Sequence, residues 1–212
     1  MNNPTTQPNN YTQPLVSERV GNSDRLMDVY TRLLKDGIIF YGYEVTSQTA
    51  NDVVAQLLYL QQEGRKEITM YINTPGGSVT SGMAVYDTMQ MLNAMGITIK
   101  TYAVGMAASM GSLLLAGGTK GHRHALPNSR IMIHQPLGGA QGQQTEILIN
   151  AKEITRWRKV LTEILAAHSG QSYKKVFRDT ERDNYMTAAQ ALKYGLIDHI
   201  VTAPGVAVPA TA

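Results

Sequence analysis

The chain has 212 residues, of which 43% are hydrophobic and 17% charged, so it can bury one sizeable core and is expected to form a single domain. The chain has 19 lysines and arginines against 16 aspartates and glutamates, a net charge of +3. The sequence contains no basic run, which argues against a nucleic-acid partner. Cysteine is absent, which excludes disulfides, thiolate zinc sites, iron–sulfur clusters and cysteine nucleophiles.

The two ends of the chain differ in composition from the rest. Residues 1–14 are rich in Asn, Pro, Thr and Gln and are expected to be a disordered leader or propeptide, and residues 202–212 a flexible tail. The first seventeen residues lack a secretory signal, and no stretch reaches the ~18 apolar residues of a membrane span. We therefore expect a cytoplasmic protein with no membrane partner, whose single domain covers residues 15–201.

Strand and helix patterns alternate between these ends. The strand-like segments are short apolar runs, at 38–41, 67–72, 97–104, around 124 and at 130–134. Two helix-like segments, at 49–63 and 79–95, carry apolar residues every three or four positions, and a short apolar helix is expected at 109–116. A last helix begins with the capping box TAAQ at 187–190 and ends at Gly195. This alternation predicts an α/β fold with parallel strand pairing.

Residues 145–168 could form one helix of roughly 36 Å, which is longer than a compact domain of this size needs. Its apolar residues, with Trp157 beside them, form a stripe at 147, 151, 154, 161 and 164. The stripe fits either a long core helix or a helix that packs against another subunit.

A serine stands among small residues in the segment GMAASMG at 105–111, at a predicted strand-to-helix junction. Small neighbours would let a bulky substrate reach Ser109, and the start of a helix favours negative charge. Serine is also a common N-cap, and the local sequence favours that role over a nucleophile.

A nucleophilic serine needs a base, and His134 is the best-placed of the five histidines. It ends the strand RIMIH, so its ring would lie where a parallel strand meets its C-terminal loop, the usual place for reactive groups in α/β sheets. For His122 and His124 we expect a solvated role, and for His199 a packing or edge role. His168 is expected at a helix C-terminus, where a partial positive charge is favourable.

The remaining parts of such a site are an acid and a pair of donors for the oxyanion. Asp179, Glu181 and Asp183 occur together in RDTERDN, and spacing alone does not select one of them. The loop TPGGS at 74–78 follows a predicted strand and opens a helix, so its glycines can point backbone N–H groups into a cleft.

Three stretches together resemble the proteolytic subunit of the Clp protease, a caseinolytic serine peptidase: YINTPGGSVTSGMAVYDTMQ (71–90), GMAASMGSLLLAGGTKGHRHALPNSRIMIHQPLGGAQGQ (105–143) and RDTERDNYMTAAQALKYGLID (178–198). The resemblance runs from about residue 15 to 201. It implies a serine endopeptidase whose catalytic triad is Ser109, His134 and Asp183. It also places the oxyanion donors on the backbone N–H groups of Gly77 and Met110.

The resemblance further implies a crotonase-like spiral of β-β-α units, with residues 145–168 as a protruding handle helix and the glycine-rich stretch before it as a ring-contact strand. Subunits of this family form two stacked heptameric rings, made of one subunit type or mixed with a paralogous subunit, and residues 15–23 resemble their axial pore loops. An ATP-driven AAA+ unfoldase feeds unfolded polypeptides into the rings. No metal or organic cofactor is implied, and ATP belongs to the unfoldase, since this chain lacks the phosphate-binding motif GxxxxGK[ST].

The sequence departs from the family pattern at two points. The chain is about three residues longer between Gly77 and Ser109 than most members, and Thr69 stands where many relatives have an aromatic residue in the unfoldase-docking pocket, although Tyr71 is kept. Two alternatives stay open. One is a partner-dependent or non-catalytic subunit of a mixed ring, and the other is a crotonase-type acyl-CoA enzyme, which a serine paired with a histidine argues against.

Overall fold

The computed structural model describes residues 14–20 and 23–202, which form nine strands and seven helices. The strands are β1 (Leu15–Val20), β2 (Ser23–Asp28), β3 (Ile38–Tyr41), β4 (Glu67–Thr74), β5 (Thr98–Ala108), β6 (Arg123–Ala125), β7 (Arg130–Ile133), β8 (Asn184–Thr187) and β9 (His199–Ile200). The helices are α1 (Val29–Lys35), α2 (Ser47–Gln62), α3 (Val79–Ala94), α4 (Met110–Ala116), α5 (Gln144–Ser169), α6 (Tyr173–Asp179) and α7 (Ala188–Tyr194). The expected leader and tail lie outside the described residues, apart from Pro14 and Thr202.

Most strands belong to one mixed sheet. Five strands lie side by side in the order β3, β4, β5, β6, β9, and every neighbouring pair among them is parallel. β7 pairs in parallel with β5, and β8 pairs antiparallel with β7. β1 and β2 form a separate antiparallel hairpin. The α/β prediction with parallel pairing is confirmed.

β5 serves two branches of this sheet. Its residues 101–103 pair with β6, whereas its residues 106–108 pair with β7. The change of partner occurs at Gly105, whose φ of +76° suits glycine. The Asn73 side chain accepts a hydrogen bond of 3.2 Å from the Met106 N–H at the same point. The end of β5 is thereby directed away from β6 and toward β7.

One face of the sheet is buried under helices. Alternate residues of β4 point into the core, where Ile68, Met70 and Ile72 are fully buried. They pack with apolar residues of α2 and α3, among them Leu57 and Met89. All seven residues of α4 are buried, which explains why this short helix is almost entirely apolar.

The opposite face carries a row of rings. Tyr71 stacks on Tyr102, whose ring centroid is 4.3 Å from that of His124 with the planes 7° apart, and His124 in turn stacks on His199. The expectation that His124 is solvated is therefore wrong. It is half-buried, and this burial lowers its pKa below the ordinary histidine value.

α5 has 26 residues, and its two halves lie in different environments. Residues 141–153 are all exposed, whereas Leu161 and Leu165 of the second half are buried in the core and Trp157 packs against it. The first half is therefore left uncovered by the rest of the described chain, and the core-helix interpretation holds only for the second half. Among the described residues, none of the helices has both the length and the apolar character needed to cross a membrane.

A buried ion pair ties β6 to the segment before β9. The Arg123 guanidinium donates to both carboxylate oxygens of Asp198, at 2.8 and 2.6 Å, and the two side chains are 4% and 16% exposed. The N–H of Gly121 also donates to Asp198. Burial alone would raise the pKa of Asp198, but these hydrogen bonds outweigh it and lower the pKa to about 2.

Replacing Asp198 with alanine is expected to lower the free energy of unfolding by about 3 to 5 kcal/mol, because Arg123 is left buried and unpaired. Since the folded-state pKa of Asp198 is depressed, its contribution is fully present above the unfolded pKa of about 3.9 and is lost as the pH falls toward 2. Urea unfolding between pH 7 and pH 2, at one fixed protein concentration, measures both effects.

Asp36→Ala is the matched control, because Asp36 forms an exposed ion pair with Arg32 and should change stability little. An Asp198→Ala variant that is as stable as this control would contradict the prediction.

Candidate active site

The sheet topology brings the ends of three strands together at one edge of the sheet. Ser109 directly follows β5 and His134 directly follows β7, and because these strands are parallel their C-terminal ends meet. β8 runs antiparallel to β7 with Asn184 opposite Ile133. Asp183, the residue before β8, therefore stands beside His134.

The three side chains form a hydrogen-bonded chain. The distance from Ser109 Oγ to His134 Nε2 is 2.8 Å, and that from His134 Nδ1 to Asp183 Oδ1 is 2.9 Å. Because a carboxylate accepts hydrogen bonds, Nδ1 carries the imidazole proton and Nε2 accepts from the Ser109 hydroxyl. The structure thus brings together the serine, histidine and aspartate that the sequence analysis singled out.

Ser109 occupies the N-cap position of α4 without capping the helix. Its side chain makes no cap hydrogen bond, and its φ of 54° and ψ of −120° make it the one non-glycine residue with positive φ in the described part of the chain. Its N–H donates to the Met132 carbonyl at 2.8 Å, and its own carbonyl accepts from the N–H and hydroxyl of Ser112. These hydrogen bonds hold the strained backbone of Ser109 on both sides, and its hydroxyl, which does not cap the helix, bonds to His134 instead.

The structure separates the three carboxylates that spacing could not rank. Asp179 accepts hydrogen bonds from Lys175 and Tyr194, at 2.7 and 3.1 Å. Glu181 forms an ion pair with Arg158 on α5. Asp183 reaches the imidazole of His134. The first two are occupied elsewhere, so Asp183 is the acid that can orient His134.

The loop TPGGS lies against Ser109. A Cβ added at Gly76 would be 2.6 Å from the Ser109 Cβ, so only glycine allows this close approach. The bridge between Val45 and Gly77 uses the Gly76 carbonyl and the Ser78 N–H, which leaves the Gly77 N–H outside the pairing. Met110 is the first residue of α4, so its N–H has no acceptor within the helix. Both backbone groups can therefore donate to a bound ligand.

An apolar cleft opens beside the reactive groups. Its walls include Val79, Leu113, Leu161 and Leu165, and Ser109 and His134 stand in the same lining. Leu161 and Leu165 come from the second half of α5. Its volume is about 20 Å³, room for roughly one water molecule, so a side chain could enter beside the Ser109 hydroxyl only if these walls moved apart.

A wider cavity of about 470 Å³ lies between α6, β8 and α7. Lys175, Asp179 and Tyr194 line it and bind one another, with the Lys175 ammonium 4.0 Å from the centre of the Tyr194 ring. Because these three groups bind one another, they do not form a reactive pair like that of Ser109 and His134 at the edge of the sheet.

Sequence reasoning missed Ser112 as a support of the site. Its hydroxyl donates to the Ser109 carbonyl at 2.7 Å and so fixes the turn that carries the nucleophile candidate. The available signal was its spacing, because a serine at the third position of a helix can bond the carbonyl of the N-cap residue three positions before it.

A serine, a histidine and an aspartate linked in this order are the arrangement that serine hydrolases use for acyl transfer. The family model described as Clp protease matches residues 21–204, a span that contains all five predicted site residues. The chain belongs to the Clp protease family and is a proteolytic subunit of that type.

Proposed function

We propose that the chain is a serine endopeptidase subunit of a self-compartmentalising, ring-shaped protease. It would degrade unfolded polypeptides that an ATP-driven AAA+ unfoldase delivers, and the cytoplasmic location expected from the sequence is part of this proposal. The observation that carries it is the hydrogen-bonded series Ser109, His134 and Asp183, with distances of 2.8 and 2.9 Å.

The proposed reaction is acyl transfer to Ser109. Its Oγ attacks the peptide carbonyl carbon while His134 Nε2 takes the hydroxyl proton, and the N–H groups of Gly77 and Met110 bind the oxyanion. His134 then gives that proton to the leaving amine as the C–N bond breaks. Water, deprotonated by His134, hydrolyses the ester and restores Ser109. Asp183 keeps the imidazole in the required tautomer, and no metal or organic cofactor takes part.

The cleft beside Ser109 supports a preference in the proposed substrate. Its aliphatic walls, including Leu113 and Leu161, offer no partner for a charged side chain. A charged residue on the acyl side of the scissile bond would therefore be disfavoured.

The finer architecture belongs to the same proposal. A crotonase-like spiral, with α5 as a handle helix, would assemble into two stacked heptameric rings, made of this chain alone or mixed with a paralogue. The support is the exposed first half of α5, where Leu148 and Ile149 are 51% and 61% exposed, and the nearby Leu137, which is 82% exposed. Apolar side chains grouped in this way are typical of an interface between subunits.

Ile149→Asp is expected to separate the assembly into smaller species, because a carboxylate would be buried in the proposed contact. Sedimentation velocity measures the change. Gln62→Asp adds the same charge at the exposed end of α2, outside the proposed contact, and should leave the assembly intact. Identical sedimentation of the wild type and Ile149→Asp would argue against a contact through this part of α5.

Intact-protein mass after incubation with a fluorophosphonate probe tests the proposed function directly. A single adduct that is absent in Ser109→Ala would show an activated serine. A folded wild-type chain without an adduct would contradict the proposal and favour a subunit that depends on a partner. Hydrolysis of an acyl-CoA thioester in place of a peptide would instead favour the crotonase-type alternative.

A further inference from the structure

The position of Asp183 depends on the turn that precedes β8. The Asp183 side chain is 58% exposed, so packing alone does not fix it, whereas the His134 side chain is 12% exposed and well enclosed. Asn184 closes the turn on one side, since its side-chain amide donates to the Asp179 carbonyl at 3.2 Å. The pairing of Asn184 with Ile133 sets the backbone of Asp183 beside His134, and a contact between the other side of the turn and the segment after β7 would hold the carboxylate at bonding distance.

Gln135, the residue after His134, makes that connection twice. Its backbone N–H donates to the Thr180 carbonyl at 2.6 Å, and its side-chain amide donates to the Glu181 carbonyl at 2.9 Å. The acceptors are consecutive carbonyls of the turn that leads to Asp183. One residue thus ties the strand that carries the base to the turn that carries the acid.

We propose that Gln135 is a positioning residue for the reaction described above, and the inference rests on that proposed function. Its side-chain amide holds the Glu181 carbonyl in place. This in turn keeps the Asp183 carboxylate at hydrogen-bonding distance from His134 Nδ1. The backbone hydrogen bond to Thr180 persists in every variant of Gln135, so loss of the side-chain bond loosens the turn without unfolding it.

Gln135→Met removes the donor and keeps the length of the side chain. Because a displacement of about 1 Å at a reacting group can lower the rate ~10²-fold, kcat for a peptide substrate is expected to fall between about 10- and 100-fold. The apolar cleft is untouched, so KM should stay within about twofold of the wild-type value. Gln135→Lys, which restores a donor of similar reach, should recover most of the lost kcat.

The matched control is Gln171→Met. Gln171 also donates its side-chain amide to a main-chain carbonyl, that of Tyr194, at 2.9 Å, and it is half-buried like Gln135. It joins the start of α6 to the end of α7, away from the reactive groups. We expect its kcat and KM to equal those of the wild type.

The decisive comparison repeats Gln135→Met in an Asp183→Asn background. A residue that acts only through Asp183 has no further effect once that carboxylate is gone, whereas a merely structural residue lowers the rate by the same factor in both backgrounds. Gln135→Glu, which keeps the shape and replaces the donor with an acceptor, takes the place of Gln135→Met if the latter does not fold.

If the wild type is active and Gln135→Met leaves kcat unchanged, or lowers it equally in both backgrounds, the inference about Gln135 is wrong and the proposed function still stands. A wild type without Ser109-dependent hydrolysis would overturn the proposed function and this inference with it. A drop in kcat that disappears in the Asp183→Asn background supports both.

Discussion

Replacing Ser109 with alanine is expected to lower kcat for peptide hydrolysis by about 10⁵- to 10⁶-fold, because it removes the hydroxyl that bonds to His134 Nε2. What remains is the contribution of the oxyanion donors and of substrate binding. The measurement is the initial rate of cleavage of a fluorogenic peptide that has an apolar residue before the scissile bond. Far-UV circular dichroism should show an unchanged fold.

Ser172→Ala is the informative control, because Ser172 also stands at a helix start but caps it. Its side chain accepts from the Lys175 N–H, whereas the Ser109 side chain caps nothing. Loss of this cap is expected to lower stability by about 1 kcal/mol and to leave hydrolysis intact. Comparable activity in Ser109→Ala and the wild type would show that another nucleophile is at work.

Asp183→Asn is expected to lower kcat by about 10⁴-fold at neutral pH, with little change in the overall structure. The asparagine amide can donate to His134 Nδ1, which favours the tautomer with the proton on Nε2. In that tautomer Nε2 cannot accept the Ser109 proton. The rate of fluorophosphonate labelling of Ser109 should fall along with kcat, because both need the same proton transfer.

Asp179→Asn makes the same isosteric change on a neighbouring carboxylate. Asp179 binds Lys175 and Tyr194 and has no contact with the imidazole, so its hydrolysis rate should stay close to that of the wild type. Equal losses in the two variants would mean that general disturbance of the region between α6 and β8, and not the tautomer of His134, lowers the rate.

The alternation of strands and helices was readable from the sequence where one face of an element is buried. β3, β4, α2 and α3 follow their predicted spans closely, because burial imposes the apolar pattern that the prediction uses. The hairpin of β1 and β2 was not predicted, since it has no buried residue among those described and therefore no pattern.

The end of one strand and the whole of another were not predicted, for a different reason. β5 extends four residues beyond its predicted end at Val104, because the small residues of GMAA give no strand signal and their pairing with β7 is a tertiary effect. β8 has four residues and is defined by its partner β7. Such strands exist because of neighbours that are distant in the chain.

The candidate site likewise has parts that the local sequence predicts and parts that depend on tertiary structure. The local sequence placed His134 at the end of a parallel strand, and the structure has it there. The choice among three nearby carboxylates needed the antiparallel pairing of β8, and the positive φ of Ser109 has no signature in its residue type. The resemblance named Asp183, Gly77 and Met110 where spacing was silent, and their catalytic roles stay predictions until the variants are measured.

The order of β5, β7 and β8 along the chain also has a consequence for biosynthesis. A ribosome makes the nucleophile candidate first, the base next and the acid last. Because Asp183 reaches His134 through the pairing of β8 with β7, a nascent chain that stops before β8 has Ser109 and His134 but lacks the carboxylate that orients His134. On the proposed mechanism, an unfinished subunit would be a poor peptidase, so other newly made chains would be protected during its synthesis.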